Sequence, residues 1–310
     1  MNKLAIFTAP KPFTNPHIAM IQRNAILNWK ALGDQVEVFL VGDEPGIKEA
    51  AAEYKVKHLP DVLRNSFGTP RVDSIFDLVR NSSAAALLCY VNADILFLPD
   101  LLTTIDLLVE SEKDFLAIGQ RWDIDIKSPI LFQNDWQGEL TSRIDTEGNL
   151  HRPAGSDYFV FKRSNFTEIP PFAIGRAGWD NWMIFKGRQD HLAVVDCTKT
   201  ITVIHQQHDF HHLPNGLVHR QQPETLQNVD LAGGYHTMFQ LSDTNYSIDT
   251  TGLHKKKLDR WRLIREISIF PAIALKSRGL GELFFDLFYP EQSKKNKKRR
   301  DQIQKKVKPE

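Results

Sequence analysis

Short apolar runs alternate with segments of helical period along the first 120 residues. Leu4 to Phe7 predicts a buried strand, and Thr8-Ala9-Pro10-Lys11-Pro12 breaks it into a loop. Asn15-Pro16 supplies an N-cap and a first-turn proline. Ile18, Ile21, Ala25, Trp29 and Leu32 then repeat at helical spacing until Gly33 ends the helix. Val36 to Val41 is a second strand, Ile47 to Tyr54 a second helix and Val56 to Leu59 a third strand. Pro70 to Asp73 opens a helix with Val72, Ile75, Phe76 and Val79 on one face, which leads to the apolar run Leu87 to Val91. A helix over Asp100 to Val109 and a strand over Phe115 to Gly119 follow. A β-α-β-α-β series of this kind predicts a parallel sheet joined by right-handed crossovers.

The second half is less regular. Ser128 to Arg143 has a weak helical pattern, Asp157 to Lys162 reads as a strand and Gly178 to Lys186 as a short helix. Leu192 to Cys197 and Thr200 to His205 read as strands. Residues 206–260, rich in His, Gln, Asn and Gly, are expected to be loops covering a site.

Charge changes the picture at one end. Residues 291–310 carry nine Lys/Arg against three acids, +6, which leaves 30 basic and 35 acidic residues in the other 290, or −5. An acidic body argues against a general nucleic-acid surface. The only cysteines, Cys89 and Cys197, fall in predicted strands and imply neither a disulfide framework nor a thiolate metal site. No stretch is long and apolar enough for a membrane span, and Leu4 to Phe7 is too short for a signal-peptide core. A cytoplasmic protein is expected.

Four constellations could do chemistry. Asn92-Ala93-Asp94 follows the run Leu87 to Val91 and sets two oxygen-bearing side chains on one side of an extended segment. It lies at the carboxyl edge, where open α/β sheets bind ligands, and suits a divalent cation holding a diphosphate. Asp94 capping a turn is the alternative. His205, His208, His211 and His212 follow the strand at Thr200 to His205. Imidazole suits Mn²⁺ or Zn²⁺, and His205 or His208 could complete a site centred on Asp94, against a loop hydrogen bond as the alternative. Gly178-Trp179-Asp180-Asn181-Trp182 brackets a carboxylate with indoles, which suits Asp180 to general-base work or to capping the helix. The strand-end loops at Thr8, Ala9, Pro10 and Asp43, with Arg71 at a helix start, would converge on a nucleotide. Neither a Gly-x-Gly-x-x-Gly nor a P-loop is present, so phosphates would need a metal and an arginine.

In this order the motifs resemble those of nucleotide-diphospho-sugar glycosyltransferases of the GT-A fold, over about residues 3–210. Asn92-Ala93-Asp94 stands where the family has Asp-x-Asp, and Gly155-Ser156-Asp157-Tyr158-Phe159 resembles its sugar-facing strand. The segment Gly178 to Trp182 resembles its acidic base motif, and His205 or His208 its late histidine ligand. Asn92 and Asn181 depart from the pattern, each standing where an acid is common. The resemblance implies a single GT-A-like, Rossmann-like α/β domain over 1–260, with a mostly parallel sheet flanked by helices. An apolar helical extension over 261–290 and a basic, disordered tail over 291–310 would follow. It further implies a UDP- or GDP-sugar donor held by Thr8, Ala9, Pro10, Asp43, Arg71, Asn92 and Ala93. Mn²⁺ or Mg²⁺ would sit on Asp94 with His205 or His208, Asp180 would act as inverting base, and Asp157, Trp179, Asn181 and Trp182 would face sugar or acceptor. A degenerate sugar- or partner-binding protein on the same fold is the first rival. A sugar-phosphate nucleotidyltransferase ranks lower, because Thr8 to Phe13 lacks its glycine loop. The apolar segment beside the basic tail fits either peripheral contact with the inner face of a membrane or packing on the body.

Overall fold

A computed structural model describes residues 3–154, 156–208 and 222–307. Strand β1 (Leu4–Thr8) leads to α1 (Pro16–Ala31), whose cap Asn15 accepts the backbone N–H groups of His17 and Ile18. β2 (Val36–Val41), α2 (Ile47–Tyr54), β3 (Lys57–Leu59), α3 (Val72–Ser82) and β4 (Leu87–Val91) complete the opening series as the periodicity predicts. β5 (Ile95–Phe97), α4 (Asp100–Glu110), β6 (Phe115–Ile118), β7 (Trp122–Ile124), α5 (Trp136–Glu147) and β8 (Asn149–Leu150) follow. Next come β9 (Tyr158–Lys162), α6 (Trp179–Gln189), β10 (Ala193–Asp196) and β11 (Val203–Gln206). The chain ends with α7 (Pro223–Leu231), β12 (Tyr246–Asp249), β13 (Gly252–Lys255), α8 (Arg260–Ile273), α9 (Arg278–Phe288) and α10 (Pro290–Val307).

The main sheet has nine strands in the order β13-β12-β10-β6-β9-β4-β1-β2-β3. It is mostly parallel. β9 runs antiparallel between β4 and β6, and β13 is antiparallel at one edge. Strand alternation divides the core into two layers. Leu4, Ile6, Leu87, Cys89, Tyr158 and Val160 face the layer holding α1 and α4. Ala5, Phe7, Leu88, Tyr90, Phe159 and Phe161 face the layer holding α3 and α6. Phe76 anchors the second layer, stacked on Tyr90 and Phe161 with centroids at 5.7 and 5.8 Å. Ile269, Ala272 and Ile273 bring α8 into that same layer.

A second, four-stranded sheet, β5-β11-β7-β8, carries part of the site. The sequence pattern does not announce it, because its strands are two to four residues long. Its β5 edge is satisfied by side chains of α1. Asn28 both donates to the Phe97 carbonyl (3.0 Å) and accepts the Phe97 N–H (2.7 Å), while Trp29 Nε1 donates to the Ile95 carbonyl (3.0 Å). Polar atoms that would otherwise be orphaned in the core thus fix β5 in place.

Three expectations need correction. α5 starts at Trp136, eight residues after Ser128, because Asp135 rather than Ser128 supplies a cap by accepting the Gly138 N–H. Residues 206–260 are not all loop: α7, β12 and β13 lie among them, with β12 adding to the main sheet beside β10. The tail is not disordered through 307 but helical. Lys and Gln are good helix formers, Ser293, Asn296 and Ile303 face inward, and Arg300 pairs with Asp230 at 2.8 Å. Cys89 and Cys197 are buried free thiols. Among the described residues no helix is long and apolar enough to cross a membrane.

Candidate active site

The ends of β1 and β4 and the start of β9 border a cleft of about 490 Å³. Asn92 and Asp94 leave β4 at its carboxyl edge, and β5 begins directly after them. Antiparallel pairing of β5 with β11 places His205 opposite Ile95, and the Gln206 N–H donates to the Asp94 carbonyl at 3.1 Å. Backbone register therefore brings Asp94 and the late histidines together across more than a hundred residues. His208 Nε2 lies 3.0 Å from Asp94 Oδ2, and His205 Nε2 lies 3.8 Å from the same oxygen. Ligand atoms of Asp94, His205 and His208 all fall within 4.8 Å of one another. His211 and His212 lie outside the described residues.

Burial alone would raise the Asp94 pKa. The bond with His208 and the charges of His205, His208 and Lys11 outweigh it and hold the carboxyl at about 2. Asp94 Oδ1 is buried without a hydrogen-bond partner among the described residues. A bare, ionised carboxylate oxygen beside two imidazoles is the donor chemistry of a divalent transition-metal site, so these residues fit one. His205 is oriented from behind, where its Nδ1 lies 2.9 Å from Asp123 Oδ1 and the two residues are register partners between β11 and β7. Asp123 also meets His151 Nδ1 at 2.9 Å and Arg121 Nε at 3.0 Å. Burial opposes its ionisation, but these partners hold its pKa well below the usual carboxylate range. A carboxylate behind a ligating imidazole fixes the tautomer and ring orientation.

Asn92 points elsewhere. Its Nδ2 donates to Asp157 Oδ1 at 3.0 Å, its Oδ1 accepts the Tyr90 hydroxyl at 3.1 Å, and Asp157 also receives Arg121. The amide is thus the donor that a carboxylate at this position could not be. Asp157, at the start of β9, faces Asn92 because β9 runs antiparallel to β4.

Asp180 stands on the far wall, in the first turn of α6. Gly178 precedes it with φ of +114°, a conformation costly to side chains with a Cβ, and its N–H donates to Asp180 Oδ1 at 3.1 Å. Burial raises the Asp180 pKa, the backbone N–H groups of Asn181 and Gly178 oppose the rise, and the nearby charge of Asp157 adds to it. Trp179 lines the cleft and meets Tyr90 edge-on at 4.9 Å. Asp180 and Ala177 also border a second, larger cleft of about 1220 Å³ between the body and α8–α10.

Of the residues singled out in the sequence, Ala9, Pro10, Asn92, Ala93, Asp94, Asp157, Trp179, Asp180, His205 and His208 line the first cleft. The others do not. Thr8 is buried at the end of β1. Asp43 is an exposed partner of Arg64, and its neighbour Glu44 reaches the cleft instead. Arg71 is held by Asp73, two residues along, so the arginines lining the cleft are Arg121 and Arg176. Trp182 is buried against Phe172, one turn of helix beyond the wall that Trp179 forms. Asn181 donates to the Phe239 carbonyl at 2.6 Å and faces the larger cleft.

Lys11, Asp123 and His151 were missed, and Ser156 was read only as part of the motif before β9. Lys11 is buried enough to lower its pKa, with Asp94 attracting its charge, and the Ser156 hydroxyl is buried without a partner among the described residues. Arg121 and Asp123 are two apart and so share one strand face, a signal hidden by the shortness of β7.

Fold and site together define an open α/β protein with a ligand cleft at the strand ends, a candidate metal cluster on one wall and a half-buried carboxylate on the other. No family model and no curated protein matches the chain. Among solved structures it is similar to TarS of S. aureus in complex with UDP-GlcNAc, at 12% identity and a TM-score of 0.48, over 74% of this chain and 65% of that one. The chain thus spans just under two thirds of that structure. It is also similar to glucosyl-3-phosphoglycerate synthase of Mycobacterium tuberculosis in complex with Mg²⁺ and UDP, at 14% identity and a TM-score of 0.46, over 75% and 80% of the two chains. A third likeness is to the mannosyltransferase PcManGT of Pyrobaculum calidifontis in complex with GDP-Man and Mn²⁺, at 13% identity and a TM-score of 0.44, over 68% and 58%. At such identities and scores the likenesses carry nothing about the reaction.

Proposed function

We propose that the chain is a metal-dependent glycosyltransferase that moves a sugar from a nucleoside-diphosphate donor to an acceptor hydroxyl with inversion. The observation that carries this reading is the meeting, in one cleft, of the Asp94–His205–His208 cluster and the half-buried Asp180. Asp94, His205 and His208 would hold Mn²⁺ or Mg²⁺, and two imidazoles favour Mn²⁺. A divalent ion there supplies Lewis-acid stabilisation of a diphosphate leaving group. The chain's own groups do the rest. Lys11 brings a cationic donor to the cleft for phosphate oxygens, with Arg176 beside it but already paired with Glu224 at 2.8 Å, while Ala9, Pro10, Ala93 and Glu44 also line it. Asp180, raised in pKa by burial, accepts the proton of the acceptor hydroxyl, with its carboxyl aimed by the Gly178 N–H. Trp179, packed on Tyr90 and Phe159, presents a narrow apolar edge to a sugar ring. The larger cleft bordering Asp180 and Asn181 takes the acceptor.

Asn92 supports an intact site rather than a decayed one, since its amide satisfies Asp157 and Tyr90 where a carboxylate would repel Asp157. A reducing, cytoplasmic setting accompanies the two free thiols. Calorimetric titration with UDP and GDP, with and without Mn²⁺, tests the proposal. Metal-dependent nucleotide binding is expected, and a screen of nucleotide sugars for metal-dependent hydrolysis then identifies the donor. Absence of nucleotide binding at millimolar Mn²⁺ would remove the transferase reading.

A further inference from the structure

Exposed apolar side chains are thinly scattered over the body and crowd its last helices. Among the described residues, nine of the fifteen exposed large hydrophobic residues fall between Leu258 and Leu287. On α8, Leu263, Ile267 and Phe270 recur at spacings of four and three; on α9, Leu280, Leu283 and Leu287 do so at three and four. Each set is therefore one helix face. Leu283 is 60% exposed and Leu287 70%. Ile267 and Phe270 meet Phe284 across an apolar groove of about 360 Å³ between the two helices. Ile269, Ala272 and Ile273 of α8 are already spent in the core, with Ile269 and Ile273 closing the base of that groove. The outward stripe is thus a second apolar face that the fold leaves bare, beyond what a water-facing helix requires.

What covers it is indicated by charge. α10 follows α9 across a single residue, Tyr289, and exposes Lys294, Lys295, Lys297 and Lys298. Lys297 ties it to α9 through Asp286 at 2.7 Å. Protein interfaces are depleted in lysine. An apolar helical face flanked by a lysine cluster, on a chain whose remaining residues carry −5, is instead matched to acyl chains under anionic headgroups.

We infer that α8, α9 and α10 form a docking surface for an anionic lipid bilayer, with Leu283, Leu287 and the α8 stripe entering the acyl boundary and the α10 lysines meeting the headgroups. The surface is independent of the cleft chemistry and stands even if the cleft transfers no sugar. The test is co-sedimentation of the full chain with vesicles of phosphatidylcholine alone and of phosphatidylcholine with phosphatidylglycerol, at low and high salt. Binding to the anionic vesicles alone, weakened by salt, is expected. Each surface lysine is worth about fivefold in such binding, so Lys295→Gln with Lys298→Gln lowers it about 25-fold. Leu283→Asp with Leu287→Asp abolishes it, with thermal melts unchanged because both side chains are exposed. Three outcomes would overturn the inference. They are no vesicle binding by the intact chain, binding indifferent to both double variants, and a concentration-dependent dimer in sedimentation velocity that Leu283→Asp with Leu287→Asp dissolves, which would make the occupant a second copy.

Discussion

Replacing Asn92 by aspartate would restore two carboxylates to the Asn92-Ala93-Asp94 step, yet the structure predicts that it damages the fold. Asn92 Nδ2 lies 3.0 Å from Asp157 Oδ1, so Asn92→Asp exchanges a donor for a second anion at hydrogen-bond distance. Two unit charges about 4 Å apart repel by roughly 4 kcal/mol at an effective dielectric of about 20. Arg121, already on Asp157, attracts the newcomer and offsets part of this, leaving a net loss of about 2–3 kcal/mol at neutral pH. For a chain of this size that is a fall in Tm of roughly 3–5 °C. The loss has a pH signature. The mutant pair binds a proton more tightly folded than unfolded, so its penalty is complete above the folded pKa and fades as pH falls towards the unfolded aspartate value of about 4. Urea unfolding of both proteins at pH 7.5 and pH 4 measures the difference directly. A variant as stable as the parent at pH 7.5, or equally impaired at both pH values, would falsify the assignment of Asn92 as the donor to Asp157.

Asp180→Asn should lower the transfer rate by about 10²–10⁴-fold with donor binding retained. It should also stabilise the fold at neutral pH, because the raised Asp180 pKa marks a charge held at a cost, and that gain should vanish as pH falls below about 4. Unchanged turnover would remove Asp180 from the chemistry. Asp94→Asn should abolish Mn²⁺ binding by calorimetry, whereas Asp123→Asn should weaken it about 10–100-fold by freeing the His205 ring. Equal affinities in all three proteins would show that the ion, if bound, lies elsewhere. In the parent, Asp94 itself stabilises the fold above pH ~4, a contribution lost as pH falls towards 2. Acid titration of Asp94→Asn should show a shallower loss than the parent over that window.

The parallel half of the sheet was legible because each strand there is four or more residues long, or is set off by a capped helix as β3 is. Leu87 to Val91 announced a buried central strand and Asn15-Pro16 a helix start. β5, β7 and β8 were not legible, since two or three residues cannot display a period, and β5 is held by Asn28 and Trp29 from a distant helix. That lost sheet sets the site's finer chemistry. Asp94 and the histidines could be found by residue type and order, but Asp123 meets His205 only through the pairing of β7 with β11, and Arg121 joins it from just before β7. Arg71 illustrates the converse failure: position at a helix start suggested a phosphate ligand, and an acid two residues along had already claimed it. The lysines of α10 read as a solvated tail because charge density alone hides Ser293, Asn296 and Ile303 turning inward at helical spacing.

Trp179 gives the cleft an optical property. Of the six tryptophans it alone lines that cavity, with its indole against the Tyr90 ring and its neighbour in the chain the carboxylate at the seam of the two clefts. Any guest in that cleft comes against the narrow edge of this one indole, itself only 5% exposed, and does not reach Trp29 or Trp182, which do not border it. Intrinsic emission therefore reports occupancy without a label, and a Trp179→Phe variant provides its blank.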